Sequence, residues 1–213
     1  MTEAVKDGIT VNLVYDGRAA KVMLNQDKVR QIEEYYAQCE LEGANEHQVE
    51  ESQKAVAKME VIIGDPDRLR AVAEDFIKHY ETRVAEGATV AGKAMFVCFN
   101  RNIAYDFYKI VKKLRPEWTE KKICDDGVVL SEKDKKELKP IEKIKMVMTR
   151  NKDDEKELFE MRGTKEDRKE LDRQFKNPKS NFKIAIVVDM WLTGFDVPEL
   201  DTIYIDKPIQ QHT

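Results

Sequence analysis

The residues best suited to chemistry lie near the end of the chain, where an apolar run is followed by acidic residues and a glycine. Residues 183–188 form the run, and Asp189, Gly194 and Asp196 follow it. Residues just beyond the carboxyl ends of parallel strands line the crevice in which open α/β sheets bind ligands. A glycine lets backbone approach a nucleotide or phosphate closely, and a carboxylate accepts hydrogen bonds from a ribose hydroxyl or orients an arginine. The segment predicts a nucleotide-binding cleft; the alternative is that both aspartates only cap turns.

A second string has the spacing of a phosphate-binding P-loop but lacks two of its physical requirements. Gly87, four further residues, Gly92 and Lys93 match the pattern GxxxxGK. The next residue is Ala94, which has no hydroxyl for Mg²⁺. The string also precedes an apolar run, whereas a P-loop follows a strand and opens a helix. We therefore do not expect phosphate binding there.

Cysteine and histidine spacing gives no sign of a metal site, a nucleophilic triad or a disulfide framework. The three cysteines are far apart and form no CxxC pair, and the three histidines are isolated. Asp65 and Asp67, on either side of Pro66, are better explained as turn and helix-cap residues than as the carboxylates of a nuclease. We predict no metal-binding residues.

Composition and charge set limits on the class of protein. The chain has 213 residues, of which 41% are hydrophobic and 37% charged, enough to bury a core. Its net charge is −4, so DNA binding would have to rest on a local surface. No apolar run approaches the ~20 residues of a membrane-spanning helix, and the first residues, MTEAVKDGIT, do not resemble a signal peptide. We expect a soluble, cytoplasmic chain with no membrane partner.

The first part of the chain divides into two predicted segments. Residues 1–25 form a linker segment in which Asp16-Gly17 joins two alternating runs, a pattern typical of a β-hairpin. Residues 26–88 form a helical segment, because apolar residues recur at helical spacing. Its last helix begins near Asp65 and ends before Gly87.

Residues 89–213 show the alternation of strands and helices typical of an α/β domain. The apolar run KAMFVCF suits a strand buried on both faces, and Asn100 is a good cap for the helix that ends at Arg115-Pro116. Strands separated by helices predict a mostly parallel sheet flanked by helices. The later predicted elements are a strand at 143–149, a polar helix at 165–176, and strands at 183–189 and 201–207.

The order of features over residues 167–208 resembles the C-terminal RecA-like domain of superfamily-two helicases. In that family a helix containing a phenylalanine precedes a strand that ends in an aspartate, and a Gly-x-Asp-x-Pro element and a further apolar strand follow. Here the phenylalanine is Phe175, the aspartate is Asp189, and the element is GFDVP at 194–198. The last strand ends before Pro208.

Within that superfamily, the string VVDMWLTGFDVPELDTIYIDKP is similar to the restriction, or motor, subunit of type I restriction-modification enzymes. A Leu-Thr-Gly-Phe-Asp element, an apolar strand and Asp-Lys-Pro are characteristic of that subunit. KAMFVCFNRNIAYDFYKIV resembles helicase motif IV, and TEAVKDGITVNLVYDGR resembles the segment that joins the two motor domains. The resemblance identifies residues 89–213 as the second RecA-like motor domain.

The resemblance also implies which residues form motif V, the element that links the ATP cleft to the DNA track. Asp189, Gly194 and Asp196 are expected on the nucleotide side and Thr193 on the DNA side. Many superfamily-two helicases have a threonine before the motif V aspartate, where this chain has Val188. We therefore expect that particular backbone contact to be missing.

Motif IV supplies the second set of implied site residues. Phe99, Asn100 and Arg101 are expected at a strand end that faces DNA phosphates, where Arg101 can pair with phosphate and Asn100 can cap a helix. The two interpretations of this strand end can coexist. Thr149 and Arg150, after the second strand, are further phosphate-contact candidates on the same geometric argument.

The resemblance implies an ATP-driven translocase that acts on double-stranded DNA together with methyltransferase and specificity subunits. It also implies ATP and Mg²⁺ as cofactors, but the chain has no Walker A motif and stops where the arginine-bearing motif VI would begin. We therefore expect a fragment, truncated before motif VI, with no catalytic residue of its own and no activity in isolation. The alternatives are a RecA-like domain of another superfamily-two helicase, or a non-catalytic RecA-like interaction module.

Overall fold

The computed structural model describes residue 14, residues 16–17 and residues 59–149, 164–192 and 195–207. Helices separate the first three strands, as the sequence predicts, and the last two strands follow one another with no described helix between them. The helices are α1 (Pro66–Ala85), α2 (Arg101–Leu114), α3 (Glu132–Glu137) and α4 (Lys165–Lys176), with a 3₁₀ turn at Pro116–Thr119. The strands are β1 (Lys93–Cys98), β2 (Ile144–Met146), β3 (Ile184–Val187) and β4 (Leu200–Asp206).

The four described strands form one sheet in the order β2-β3-β1-β4, and every neighbouring pair is parallel. Val97 of β1 is in register with Val187 of β3 on one side and with Ile205 of β4 on the other. The mixed architecture of a parallel sheet flanked by helices confirms the predicted α/β, RecA-like fold class. All four strands end at the same edge, which is where the predicted site residues lie.

Side chains next to the helices fix where they begin. The Asp65 carboxylate accepts hydrogen bonds from the backbone N–H groups of Asp67 and Arg68, each at 3.1 Å, and caps α1 as predicted. The Asn100 Oδ1 accepts from the Ile103 N–H at 2.9 Å and caps α2. Thr164 forms a capping box with the third residue of α4.

Each face of the sheet is covered by its own apolar cluster, because alternate residues of β1 point to opposite sides. Ala94, Phe96 and Cys98 pack with α1 and α2, and the Phe107 ring of α2 stacks on Phe96 with ring centroids 4.0 Å apart. Met95 and Val97 face the other way, toward α4. The sheet is therefore buried on both faces around β1.

The structure shortens some predicted elements and adds others. The strands predicted at 143–149 and 183–189 extend only over Ile144–Met146 and Ile184–Val187. The charged stretch that follows Trp118 contains the short helix α3, in which no residue is buried. Apart from Val14 and the Asp16-Gly17 pair, the predicted hairpin lies outside the described residues, as does the part of the helical segment before residue 59. Among the described helices, none has the length and apolarity to span a membrane.

Candidate functional site

The carboxyl edge of the sheet gathers the predicted site residues from three different strands. Thr149 lies three residues beyond β2, Asp189 two residues beyond β3, and Asn100 and Arg101 just beyond β1. Lys207 follows β4 directly. Because β3 and β1 are the central pair, the segments predicted as motifs V and IV leave the sheet side by side.

Arg101 and Thr149, predicted separately, are in direct contact. The Arg101 guanidinium donates from Nη1 to the Thr149 hydroxyl at 3.4 Å and from Nη2 to the Thr149 carbonyl oxygen. These contacts join the ends of β1 and β2 across the end of β3. Thr149 is exposed and Arg101 is half-buried, so the guanidinium is anchored at a surface that an external phosphate can reach.

Phe99 and Asn100, the other two predicted motif IV residues, take part in packing and capping. Asn100 accepts the capping bond at the start of α2, and its Nδ2 donates to the Glu60 carboxylate at 2.6 Å. Phe99 is partly buried against a small cluster that includes Ile63 and Leu69. Both residues support the turn that positions Arg101.

Asp189 has an ion-pair partner that sequence reasoning missed. The Lys207 Nζ donates to Asp189 Oδ1 at 3.0 Å, which joins the ends of β3 and β4 across the end of β1. The Asp189 side chain is 78% exposed, so this pair contributes little to the free energy of unfolding. Its carboxylate is therefore available to a competing ligand. The only sequence signal for Lys207 is its place in the Asp-Lys-Pro string.

A better buried ion pair lies beside this edge and was also missed. The Arg68 guanidinium of α1 makes a bidentate contact with the Asp206 carboxylate at the end of β4, and Nη1 reaches Oδ2 at 3.1 Å. The same Nη1 donates to the Ile63 carbonyl oxygen at 2.9 Å. The two side chains are 17% and 12% exposed. The pair fixes α1 to the strand end that presents Lys207.

The predicted motif V segment is described on both of its flanks. Asp196 is exposed, and the residue before it, Phe195, stacks on Trp191 with ring centroids 4.1 Å apart and an angle of 8° between the rings. The predicted site residues Thr193 and Gly194, like Arg150 of the other strand end, lie outside the described residues. Of the two carboxylates in this segment, Asp189 lies at the same edge as Arg101.

The P-loop-like string at residues 87–93 lacks the geometry of a phosphate site, in agreement with the expectation from the sequence. Gly92 has a positive φ of 65° and makes the turn that leads into β1, and its carbonyl oxygen accepts from the Tyr80 hydroxyl at 2.9 Å. Lys93 is fully buried, and its Nζ donates to the Phe182 carbonyl oxygen. The ammonium therefore cannot reach a phosphate in solvent. Among the residues that the structure describes, no cluster of histidine, cysteine and acidic side chains could hold a metal ion.

Burial of Lys93 gives a testable pH dependence of stability. Burial, with a further contribution from the nearby Lys183 charge, lowers the pKa of Lys93 to about 7, against the opposing effects of Asp125 and Glu199. Between that value and the unfolded pKa of about 10.4, the unfolded chain binds one more proton than the native chain, so stability rises with pH. From pH 6.5 to pH 8.5 this group should add about 2 kcal/mol to the free energy of unfolding.

Lys93→Met keeps the apolar stem of the side chain and removes the titrating group, so it should lack this increase. Urea unfolding of both chains at pH 6.5 and pH 8.5 measures the difference, and other titrating groups cancel because both chains share them. Parallel behaviour of the two chains over this interval would contradict the assignment.

Comparison with known proteins decides the family. Residues 90–213, more than half of the chain, match the family model for type I restriction enzyme subunit R, domain 3. The chain belongs to the type I restriction enzyme subunit R family. The match includes all four strands of the described sheet and the two strand ends that are followed by Arg101 and Asp189. The resemblance seen in the sequence is thereby confirmed.

Relatives of this subunit R domain align along the whole chain. This chain is 34% identical over 212 residues to the type I restriction enzyme HindI endonuclease subunit of Haemophilus influenzae. It is 33% identical over 213 residues to a Methanocaldococcus jannaschii protein named for the type I restriction enzyme MjaIXP endonuclease subunit. The alignments cover 100% and 99% of this chain but only 17% and 18% of the relatives. The chain thus spans less than a fifth of their length.

Proposed function

We propose that this chain is part of the ATP-dependent DNA translocase of a type I restriction endonuclease and contributes motifs IV and V to its ATP cleft and DNA track. The observation that supports this most is the meeting of the two predicted motifs at one edge of the sheet. Arg101 follows β1 and Asp189 follows the adjacent β3. A cationic group and a carboxylate on neighbouring strand ends can couple a phosphate contact to a nucleotide contact.

On the DNA side, Arg101 is the proposed phosphate contact. Its guanidinium is oriented by Thr149, so little side-chain freedom remains to be lost when it pairs with a phosphate. Thr149, which is exposed beside it, offers a hydroxyl to the same backbone. Arg150 and Thr193 are proposed as further contacts on the basis of the resemblance.

On the nucleotide side, the described carboxylates suit a ribose or an arginine and do not suit a triphosphate. Asp189 and Asp196 are both exposed, so their carboxylates can accept hydrogen bonds. Negative groups repel phosphate, and Lys93 of the P-loop-like string is buried. We therefore assign the triphosphate and Mg²⁺ to other parts of the longer polypeptide, where ATP binding would supply the energy for translocation. Gly194 would allow close approach of the backbone.

The proposed assembly follows from the family. The full-length subunit would act on double-stranded DNA in the cytoplasm, together with methyltransferase and specificity subunits, and would cut with a nuclease domain outside this chain. The 213-residue chain alone is expected neither to hydrolyse ATP nor to cleave DNA. Robust DNA-stimulated turnover by the purified chain would contradict this division of roles.

Arg101→Ala tests the DNA side. In the full-length subunit we expect duplex DNA to bind roughly 10-fold more weakly, because a hydrogen bond to a charged group contributes about 1.5–3 kcal/mol. We also expect the slope of log affinity against log salt to fall by about 1, the value for one lost phosphate contact. Fluorescence anisotropy of labelled DNA at several salt concentrations measures both quantities.

Arg70→Ala is the matched control for this experiment. Arg70 lies on α1, has a side chain that is 68% exposed, and pairs with Glu74 of the same helix at 3.0 Å. Its loss changes the net charge equally but should leave the affinity and the salt slope unchanged. Equal losses in the two variants would show a general charge effect and remove Arg101 from the proposed DNA track.

A further inference from the structure

Trp191, two residues after Asp189, has a backbone conformation that a tryptophan rarely adopts. Its φ is 65°, and among the described non-glycine residues it alone has a positive φ. Such a conformation costs on the order of 1–3 kcal/mol and persists only where the surroundings enforce it. The contacts of the Trp191 ring therefore have to supply the compensation.

Those contacts form a column of stacked aromatic rings. Trp191 lies nearly parallel to Phe195, with centroids 4.1 Å apart, and against Phe175 of α4, with centroids 5.3 Å apart and an angle of 26°. Trp191 and Phe195 are four residues apart in the chain, so their stacking fixes the distance between the two ends of the intervening segment. We refer to the Trp191–Phe195 pair as the aromatic clasp.

The clasp is fixed to the core on one side and covered by a cation on the other. Phe175 is fully buried and contacts Phe182 with centroids 4.9 Å apart. The Lys93 Nζ lies 5.1 Å from the Phe175 centroid, and the Lys176 Nζ lies 4.7 Å from the Phe195 centroid. Cations at this distance from a ring face are attracted to it. The column therefore runs from the start of β1 to the surface of α4.

We propose that Trp191 and Phe195 are positioning residues that hold the backbone of the motif V carboxylates in place. Asp196 is bonded directly to Phe195, and Asp189 precedes Trp191 by two residues, so the clasp controls the backbone on both flanks. Without the ring, the backbone at residue 191 relaxes out of the left-handed region and the segment loses its fixed separation. This inference rests on the proposed function for its effect on ATP turnover, but not for its effect on backbone order.

Hydrogen–deuterium exchange on the 213-residue chain tests backbone order directly. The peptide that spans residues 189–200 includes the Leu200 N–H, which donates to the Val197 carbonyl oxygen at 3.0 Å. In Trp191→Ala its exchange should accelerate roughly 10-fold, since an aromatic pair contributes about 0.5–1.5 kcal/mol beyond burial. Trp191→Phe should exchange like the wild type. Unchanged exchange in Trp191→Ala would overturn the inference.

Trp191→Gly separates the ring from the backbone strain. Glycine adopts a φ of 65° without cost but has no ring to stack. If the clasp holds the segment, exchange in Trp191→Gly should accelerate as it does in Trp191→Ala. Wild-type exchange in Trp191→Gly would show that backbone conformation alone orders the segment, and would also overturn the inference.

Steady-state ATP hydrolysis by the full-length subunit, assembled with its methyltransferase and specificity partners, tests the effect on function. Trp191→Ala and Trp191→Gly should lower kcat roughly 10-fold with little change in KM, because a misplaced carboxylate reduces the stabilisation of the transition state more than the binding of the substrate. Trp191→Phe should stay within roughly 2-fold of the wild type, as the retained stack implies. Val129→Ala, at a side chain that is 86% exposed, is the control and should change nothing.

Failure of the proposed function and failure of the positioning role give different results. If the wild-type subunit, assembled with its methyltransferase and specificity partners, shows no DNA-stimulated turnover, the proposed function fails, and the exchange experiment alone decides the clasp. If the wild type is active and Trp191→Ala retains its kcat, the proposed function stands and the positioning role fails.

Discussion

Asp196→Ala in the full-length subunit, assembled with its methyltransferase and specificity partners, is expected to lower DNA-stimulated ATP turnover on the order of 100-fold, the loss that misplacement of a catalytic arginine can cause when the carboxylate proposed to orient it is removed. Asp196 is exposed and directly follows the stacked Phe195, so its carboxylate lies on a fixed backbone. A steady-state phosphate-release assay with saturating ATP and duplex DNA measures the rate. Asp196→Asn keeps the shape of the side chain and should lose most of the activity as well.

Asp126→Ala is the control for this variant. Asp126 has a side chain that is 93% exposed, and it pairs only loosely with Lys122, at 3.5 Å. Its removal changes the net charge by the same amount and should leave turnover within roughly 2-fold, as expected of an exposed pair. Full turnover in Asp196→Ala would contradict a role in the ATP cleft. It would favour the non-catalytic interaction module.

Phe107→Ala is expected to lower the free energy of unfolding by about 3–5 kcal/mol, the usual cost of removing a large buried aromatic side chain. Phe107 of α2 is fully buried, stacks on Phe96 at 4.0 Å and lies 5.8 Å from the Phe76 ring. The cavity would open between α1, α2 and β1, which together position Arg101. Urea unfolding followed by circular dichroism measures the change.

Two comparisons make the Phe107 result interpretable. Phe107→Leu refills most of the volume and should recover much of the lost free energy. Val129→Ala, at an exposed position, should stay within about 0.5 kcal/mol of the wild type. A loss below about 1 kcal/mol in Phe107→Ala would show that this core relaxes freely, contrary to the dense packing of protein interiors.

The elements that the sequence predicted well are those fixed by local signals. KAMFVCF is a continuous apolar run and became the central strand β1, buried along its whole length. Asn100 and Asp65 cap the helices predicted to start beside them, and the polar helix predicted at 165–176 has those bounds. In each case the capping residue and the apolar pattern depend only on neighbouring residues, which sequence reasoning can read.

The features that sequence reasoning missed depend on strand order. The alternation of elements predicts a parallel sheet, but it does not show that β3 inserts between β2 and β1. That insertion decides that Arg101 meets Thr149 and that Lys207 meets Asp189. Contacts of this kind join residues far apart in the chain, and no local pattern indicates them.

The sequence predicted which edge of the sheet holds three of the candidate residues, but it did not predict their contacts. The carboxyl-edge argument placed Arg101, Thr149 and Asp189 at one edge of the sheet, where they are found. It did not anticipate the strained backbone of Trp191, because a tryptophan in the left-handed region is compensated by ring contacts with distant Phe175. The roles of these residues toward ATP and DNA stay predictions.

Displacement of a triplex-forming oligonucleotide from unmethylated duplex DNA tests the central claim most directly. The full-length subunit, assembled with its methyltransferase and specificity partners, is mixed with DNA whose far end carries the fluorescent third strand. We predict release of that strand only with ATP, after a delay that lengthens with distance from the recognition site, and no release in Asp196→Ala. Binding of the complex to DNA without ATP hydrolysis or strand release would contradict a role in DNA translocation.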